Sequence, residues 1–176
     1  AEQQASHRSA PPGSTYRRLR ELAWPDPWGG VGTETVAPER FVEVGRAWSG
    51  PVYVLGGPGE DRLVGQVAAG VPGCVALCEV GFDRTIAALA GCAVAVSGDT
   101  GLMHLAGACG AAVVGLFGPT HPNDGFFVYP RGEVVQRELS CRPCTLHRIE
   151  SCPLGHHRCM DLSFESVRRA VASCAG

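Results

Sequence analysis

Short runs of consecutive apolar residues alternate along the chain with segments whose apolar positions recur at helical spacing. PVYVLGG (51–57), VPGCVALCEV (71–80), AVAVS (93–97) and AAVVGLF (111–117) are short and rich in β-branched residues, and each reads as a buried strand. Helix patterns separate them. Pro38 opens PERFVEVGRAW with proline in the first turn, and Pro58 and Glu60 begin a second helix running to Ala69. DRTIAALAGC (83–92) has Asp83 as its expected N-cap and Ile86, Ala87, Leu89 and Ala90 as its expected apolar face. LMHLAGACG (102–110) ends in glycine, and FESVRRAVASC (164–174) is amphipathic. Residues 1–15 are polar, with Pro and Gly, and read as a disordered tail; residues 16–37, with WPDPWGGVG, read as a loop-forming stretch. The expected organisation is tail and loop over 1–35, then one domain over 36–176 with a cysteine-rich loop at 140–160.

Strand–helix alternation with short connections and continuously apolar strands predicts a parallel sheet with helices on both faces. Such sheets take ligands at the carboxyl ends of their strands. Two loops fall there: SGDTG (97–101) and GPTHP (118–122), after adjacent predicted strands. Gly98 and Gly101 let backbone approach a ligand, and Asp99 is the expected N-cap of the following helix. Thr100 and the amides of Gly101 and Leu102 then lie at a helix N-terminus, whose unpaired N–H groups and partial positive charge suit a phosphate. His104, in the first turn or so, is placed to donate to a phosphate oxygen. Spacing alone equally allows a cap, a turn and an ordinary helix histidine.

Composition narrows the ligand. With 176 residues, 45% apolar and 18% charged, the chain has a core of ordinary size. A net charge of -2 points away from nucleic acid. All 15 basic residues are Arg, so no Lys is present as a phosphate clamp or Schiff base. No apolar run approaches the ~18–20 residues of a transmembrane segment. The first residues lack a basic-then-apolar leader pattern. Both point to the cytoplasm.

Of the nine cysteines, Cys74, Cys78, Cys92, Cys109 and Cys174 are scattered and read as small core residues. The other four, Cys141, Cys144, Cys152 and Cys159, fall in CRPCTLHRIESCPLGHHRC. C-x-x-C followed by two further cysteines suits a tetrahedral structural Zn or Fe site. Pro143 and Pro153 favour tight turns, and His147, His156 and His157 are spare nitrogen donors. The alternatives are two disulfides, disfavoured in a reducing cytosol, and free thiols. Four protein ligands leave no open position, so no catalytic metal is required of this loop.

SGDTGLMHLAGACGAAVVGLFGPTHP resembles the signature of glycosyltransferase family 9, the ADP-heptose:lipopolysaccharide heptosyltransferases. The resemblance extends to APERFVEVGRAW, VYVLGGPGE and SCRPC…CPLGHHRCM, and so covers about residues 36–171. It implies an α/β, Rossmann-like parallel sheet: the C-terminal, donor-binding half of a GT-B fold, transferring heptose with inversion to a lipopolysaccharide core or protein acceptor. Matched residue by residue, Thr100, Gly101 and the amides near Leu102 would hold the diphosphate, and Asp99 would lie against the sugar. His104 matches the motif histidine, to which a catalytic part falls. Gly118, Pro119 and Thr120 match the second loop bordering the donor. Glu79 is placed either to accept hydrogen bonds from the adenosine ribose or as a solvated loop carboxylate. Some relatives that act on autotransporters carry four cysteines around iron. Two departures stand out. Glu34 falls about where the family has a phosphate-contacting Lys, leaving Arg40 as a substitute. Residues 1–35 are too short to read as the N-terminal acceptor domain that the resemblance implies as source of the catalytic base, so the expected partner is a separate acceptor-binding chain or domain. The competing reading is a degenerate, non-catalytic nucleotide-sugar-binding or assembly module.

Overall fold

The computed structural model describes residues 38–125, 128–146 and 151–176, together with the strand path of 21–24. In chain order the elements are β1 (Glu21–Trp24), α1 (Pro38–Ala47), β2 (Val52–Gly56), α2 (Asp61–Gly70), β3 (Val75–Cys78) and α3 (Phe82–Gly91). These are followed by β4 (Cys92–Gly98), α4 (Gly101–Ala108), β5 (Ala112–Phe117), β6 (Gly132–Gln136) and α5 (Phe164–Ala175). The six strands form one sheet in the order β3-β2-β1-β4-β5-β6, with every described pairing parallel.

The four strands read from the sequence are β2 to β5, and the sheet contains two more. Residues 16–37 are not all loop: Glu21–Trp24 pair with Val52–Val54 on one side and with Cys92–Ala95 on the other, which makes β1 central. β6 pairs with β5 from Val113↔Gly132 to Phe117↔Gln136. The tail at 1–15, Glu34 and His147 lie outside the described residues.

The period-two alternation of the strands divides the core between two faces. Val52, Val54, Val94, Val96, Val114, Leu116 and Val135 meet Phe41 and Val44 of α1, Val64 and Val67 of α2, and Val167 and Val171 of α5. On the opposite face Leu55, Ala95, Val113 and Phe117 meet Leu89 of α3 and Met103 and Ala106 of α4. Val94, Ala95, Val96, Val113, Val114 and Phe117 are fully shielded from solvent, as strands covered on both faces require.

α3 differs from its sequence reading. Its N-cap is Gly81, at φ 81°, so Asp83 sits within the first turn instead of capping it. Leu89 is the buried residue of α3, whereas Ile86, Ala87 and Ala90 are exposed. The helix packs on the sheet and α4 along the narrow line through Thr85, Ala88 and Leu89, so three small or apolar residues of the expected face remain in solvent.

Sheet order fixes where a ligand can enter. From β1 the chain moves out to β2 and β3, then returns to β4 on β1's other side. The strand order therefore reverses between β1 and β4, the topological switch point at which doubly wound sheets open a crevice.

Candidate functional site

β4 ends at Gly98 beside this crevice, and α4 begins at Gly101. Ser97 is fully buried, and its hydroxyl donates to the Gly98 carbonyl at 2.8 Å. The same oxygen lies 3.3 Å from Thr100 Oγ1, which ties the start of the helix to the strand below it. Thr100 is the N-cap, with extended backbone at φ -138°, ψ 167°, and its own side chain does not bond the helix amides. Asp99 stands one residue before the cap, not at it. The contact between the Ser97 and Thr100 hydroxyls sits directly beside the cap. Gly101, Leu102 and the exposed His104 line the first turn. The N-terminus of α4 thus presents amide donors that the Thr100 side chain does not take, where the helix dipole adds positive potential.

β5 is the neighbour of β4, so its following loop stands beside that N-terminus. Gly118, Pro119 and Thr120 are all buried. Thr120 is only 2% exposed, and its Oγ1 has no hydrogen-bond partner among the described residues. A buried hydroxyl left unpaired costs about 1–3 kcal/mol. His121 Nδ1 accepts from the Asn123 amide at 3.1 Å and caps the turn that follows.

The cysteine-rich segment wraps this second loop. Arg142, between Cys141 and Cys144, donates from Nε to the Gly118 carbonyl and from Nη2 to those of Thr120 (2.8 Å) and Phe117 (3.2 Å). Its Nη1 reaches the Arg137 carbonyl at 2.6 Å, and Gln136 Oε1 lies 3.4 Å from Nη2. The Cys144 amide donates to the Pro119 carbonyl at 2.8 Å. A Cβ on Gly118 would overlap the Met160 sulfur, so glycine is what lets Met160 lie against the loop. Burial pushes the Arg142 guanidinium below its usual pKa, opposed by the nearby Cys159, Glu138, Cys144 and Cys141. Sequence reasoning passed over Arg142, which carried only the signal of an arginine flanked by two prominent cysteines.

None of the nine cysteines is joined in a disulfide, so the disulfide reading is not realised. Cys159 is buried, and its thiol is pushed up by burial first and by Cys144 next. Cys152 goes the other way: backbone N–H groups of His157, Leu154, His156 and Gly155 converge on it and lower its pKa. Cys141 Sγ lies 3.9 Å from His156 Nε2. Among the described residues no group of three or more His, Cys, Asp or Glu is gathered in metal-holding positions.

Glu79 follows β3 with φ at 51°, and its Oε1 accepts from the Gly59 amide at 3.2 Å. Three strand spacings, about 14 Å, separate β3 from β4, so Glu79 stands at the far end of the same edge. The turn after β2 is held by Glu60, a buried carboxylate that accepts from the Gly57 amide at 2.6 Å. Arg40 Nη1 pairs with Glu43 at 3.1 Å. Among the described residues no helix is long and apolar enough to cross a membrane.

Residues 39–153 match the model of glycosyltransferase family 9 (heptosyltransferase). Over 108 residues the chain is 36% identical to lipopolysaccharide heptosyltransferase 1 of Pseudomonas aeruginosa, covering 60% of this chain and 29% of that protein. Over 81 residues it is 35% identical to lipooligosaccharide heptosyltransferase 2 of Campylobacter jejuni, covering 45% of this chain and 24% of that one. The fold superposes on the Escherichia coli ADP-heptose lps heptosyltransferase II with a TM-score of 0.73, at 17% identity, over 90% of this chain and 47% of that one. An E. coli heptosyltransferase solved with ADP gives a TM-score of 0.63 at 18% identity, over 90% and 46%. The chain thus spans less than a third of these curated relatives and just under half of these solved chains.

Proposed function

Because the chain belongs to glycosyltransferase family 9, we propose that it is the C-terminal, donor-binding half of an inverting GT-B enzyme that seats the diphosphate of an ADP-heptose-like sugar at the start of α4. The observation that carries this reading is the buried Thr120 hydroxyl with no partner among the described residues, on the loop beside a helix N-terminus whose N-cap side chain does not bond the helix amides.

The amides of Gly101 and Leu102 and the hydroxyls of Thr100 and Thr120 would take phosphate oxygens. Exposed His104, on the first turn, adds a donor from the solvent side. Asp99, just before the cap, would lie against the sugar, and Glu79 at the far end of the edge would meet the ribose. When an acceptor hydroxyl attacks the anomeric carbon, the sugar–phosphate bond breaks and negative charge grows on the departing diphosphate. Backbone donors already fixed at a helix N-terminus stabilise that charge without reorganising. A lipopolysaccharide core or protein supplies the acceptor in this reading. Recognising it, and taking its proton, falls to a separate acceptor-binding domain or chain, with the reaction in the cytoplasm.

Calorimetry with ADP and ADP-heptose tests this on the wild type and on Asp99→Ala with Thr100→Val. Micromolar binding lost in the double variant supports the donor site. No binding up to millimolar ADP would reduce both loops to elements of the fold.

We also infer that Cys141, Cys144, Cys152 and Cys159 hold a structural Zn or Fe ion. Support comes from the soft donor set, the nearness of Cys144 and Cys152 to Cys159, and the amides turned toward Cys152; the four are not already gathered in metal-holding positions, so the ion would draw them together. Such an ion would tie the loop together and take no part in the transfer. Metal content by mass spectrometry of the purified protein tests this independently of activity.

A further inference from the structure

The loop after β5 is shaped by a single side chain from outside it. Arg142 reaches back 22 to 25 residues and bonds the carbonyls of Phe117, Gly118 and Thr120. These are three of the four carbonyls in Phe117–Thr120, and the fourth, on Pro119, accepts from the Cys144 amide. Every carbonyl of the loop is therefore taken by Cys-Arg-Pro-Cys. That matters to an anion, because a carbonyl oxygen pointing into the mouth would repel phosphate. Bonding all four from beneath draws the negative ends of the loop dipoles away from the mouth.

The guanidinium matters a second way. Arg40, Arg137 and Arg168 each pair with a carboxylate. Among the described residues Arg142 bonds only carbonyl and amide oxygens, and the nearby Glu138 acts on it without a direct ion pair. In a chain without Lys, this sets a guanidinium directly behind the Phe117–Thr120 carbonyls. Arginine suits this position because its five N–H donors lie in one plane and can serve several carbonyls at once, which an ammonium group cannot do in that geometry.

We propose that Arg142 is a positioning residue for the donor site, holding the Phe117–Thr120 loop in its anion-receptive shape and supplying positive potential beneath it. This rests on the donor-site reading above, and it assigns the Cys-x-x-Cys turn a function in binding beyond any metal it holds.

The test uses Arg142→Ala and Arg142→Lys in the full chain, with ADP as probe. Three readouts are taken: ADP affinity by calorimetry, amide hydrogen exchange across residues 115–122 without ligand, and melting temperature. Arg142→Ala is expected to weaken ADP binding by about tenfold or more and to speed exchange in the loop. Arg142→Lys keeps the charge but loses the fork, so its loop exchanges as fast as that of the Ala variant while part of the affinity returns. Added methylguanidinium should restore ADP binding to the Ala variant, which a general loss of stability would not allow. Unchanged exchange and unchanged affinity in both variants would overturn the proposal. If the wild type fails to bind ADP, the donor reading fails, and exchange alone decides whether Arg142 orders the loop. Should the Ala variant not fold, the Lys variant carries the comparison.

Discussion

Arg142 donates to the backbone carbonyl of Thr120 at 2.8 Å, while the hydroxyl of Thr120, buried with it, has no partner among the described residues. One residue is thus held firmly by its main chain and left unsatisfied at its side chain. An arrangement of this kind gives up some stability in the free protein and recovers it when a ligand arrives.

Thr120→Val tests that directly, since it keeps the shape and removes the orphaned hydroxyl. The ligand-free protein should become more stable by about 1 kcal/mol, read from chemical denaturation, and ADP binding should weaken by about tenfold. A destabilised variant would mean that the hydroxyl is satisfied in the free protein.

Gly132 pairs with Val113, and a Cβ there would overlap the Val113 carbonyl backbone. Backbone cannot yield as the tip of a side chain can. Gly132→Ala is expected to cost about 3 kcal/mol by urea unfolding and to loosen the β5–β6 edge. A cost below about 1 kcal/mol would show that β6 shifts freely against β5.

Ser163 caps α5, accepting from the Ser166 amide at 3.1 Å. Ser163→Ala should lower stability by about 1 kcal/mol, with Ser163→Asp close to wild type. If Ala costs nothing in thermal melts, the cap contributes nothing to holding α5.

On the same helix, the bond from Arg168 holds the exposed Glu165 carboxyl below its usual pKa. A lowered folded pKa adds stability above the unfolded value and loses it as pH falls through the folded one. Glu165→Gln should therefore melt slightly below wild type near neutral pH, and the two should converge in acid. A difference that persists or grows in acid would contradict the ion pair as its source.

Metal bound by the four cysteines should appear as about one Zn or Fe per chain. A strong chelator should then lower the melting temperature by about 5 °C or more. Cys152→Ser with Cys159→Ser should lose the metal. Metal-free protein that melts unchanged with chelator would leave the four as plain thiols.

Much of this was legible in the sequence, and what was hidden has identifiable causes. Strands β2 to β5 announce themselves as apolar runs because both their faces are covered. Glu21–Trp24 has four residues, one of them charged, and is followed at once by Pro25, so nothing local distinguishes it from loop. Its place at the centre of the sheet comes entirely from partners at 52–54 and 92–95. β6 is equally obscure, since only Val135 of its five residues is buried. The two glycine loops fall at the carboxyl ends of adjacent strands as read, but the cap is Thr100, one residue after Asp99, beside a Ser97 hydroxyl that no sequence pattern marks as its partner. Arg142 was hidden for a related reason. Its acceptors are main-chain carbonyls, which every residue has, so no pattern of side chains marks them.

The position of β1 has a practical corollary for anyone who wishes to cut the protein down. The family match begins at residue 39 and ends at 153. A fragment trimmed to those limits would keep both glycine loops yet lack β1, which alone joins β2 and β3 to β4, β5 and β6, and it would also lack α5. Such a fragment has two separate ribbons of sheet in place of one, each with a raw inner edge. It should be recovered as aggregate, and its silence in a binding assay would say nothing about the site it still spells out.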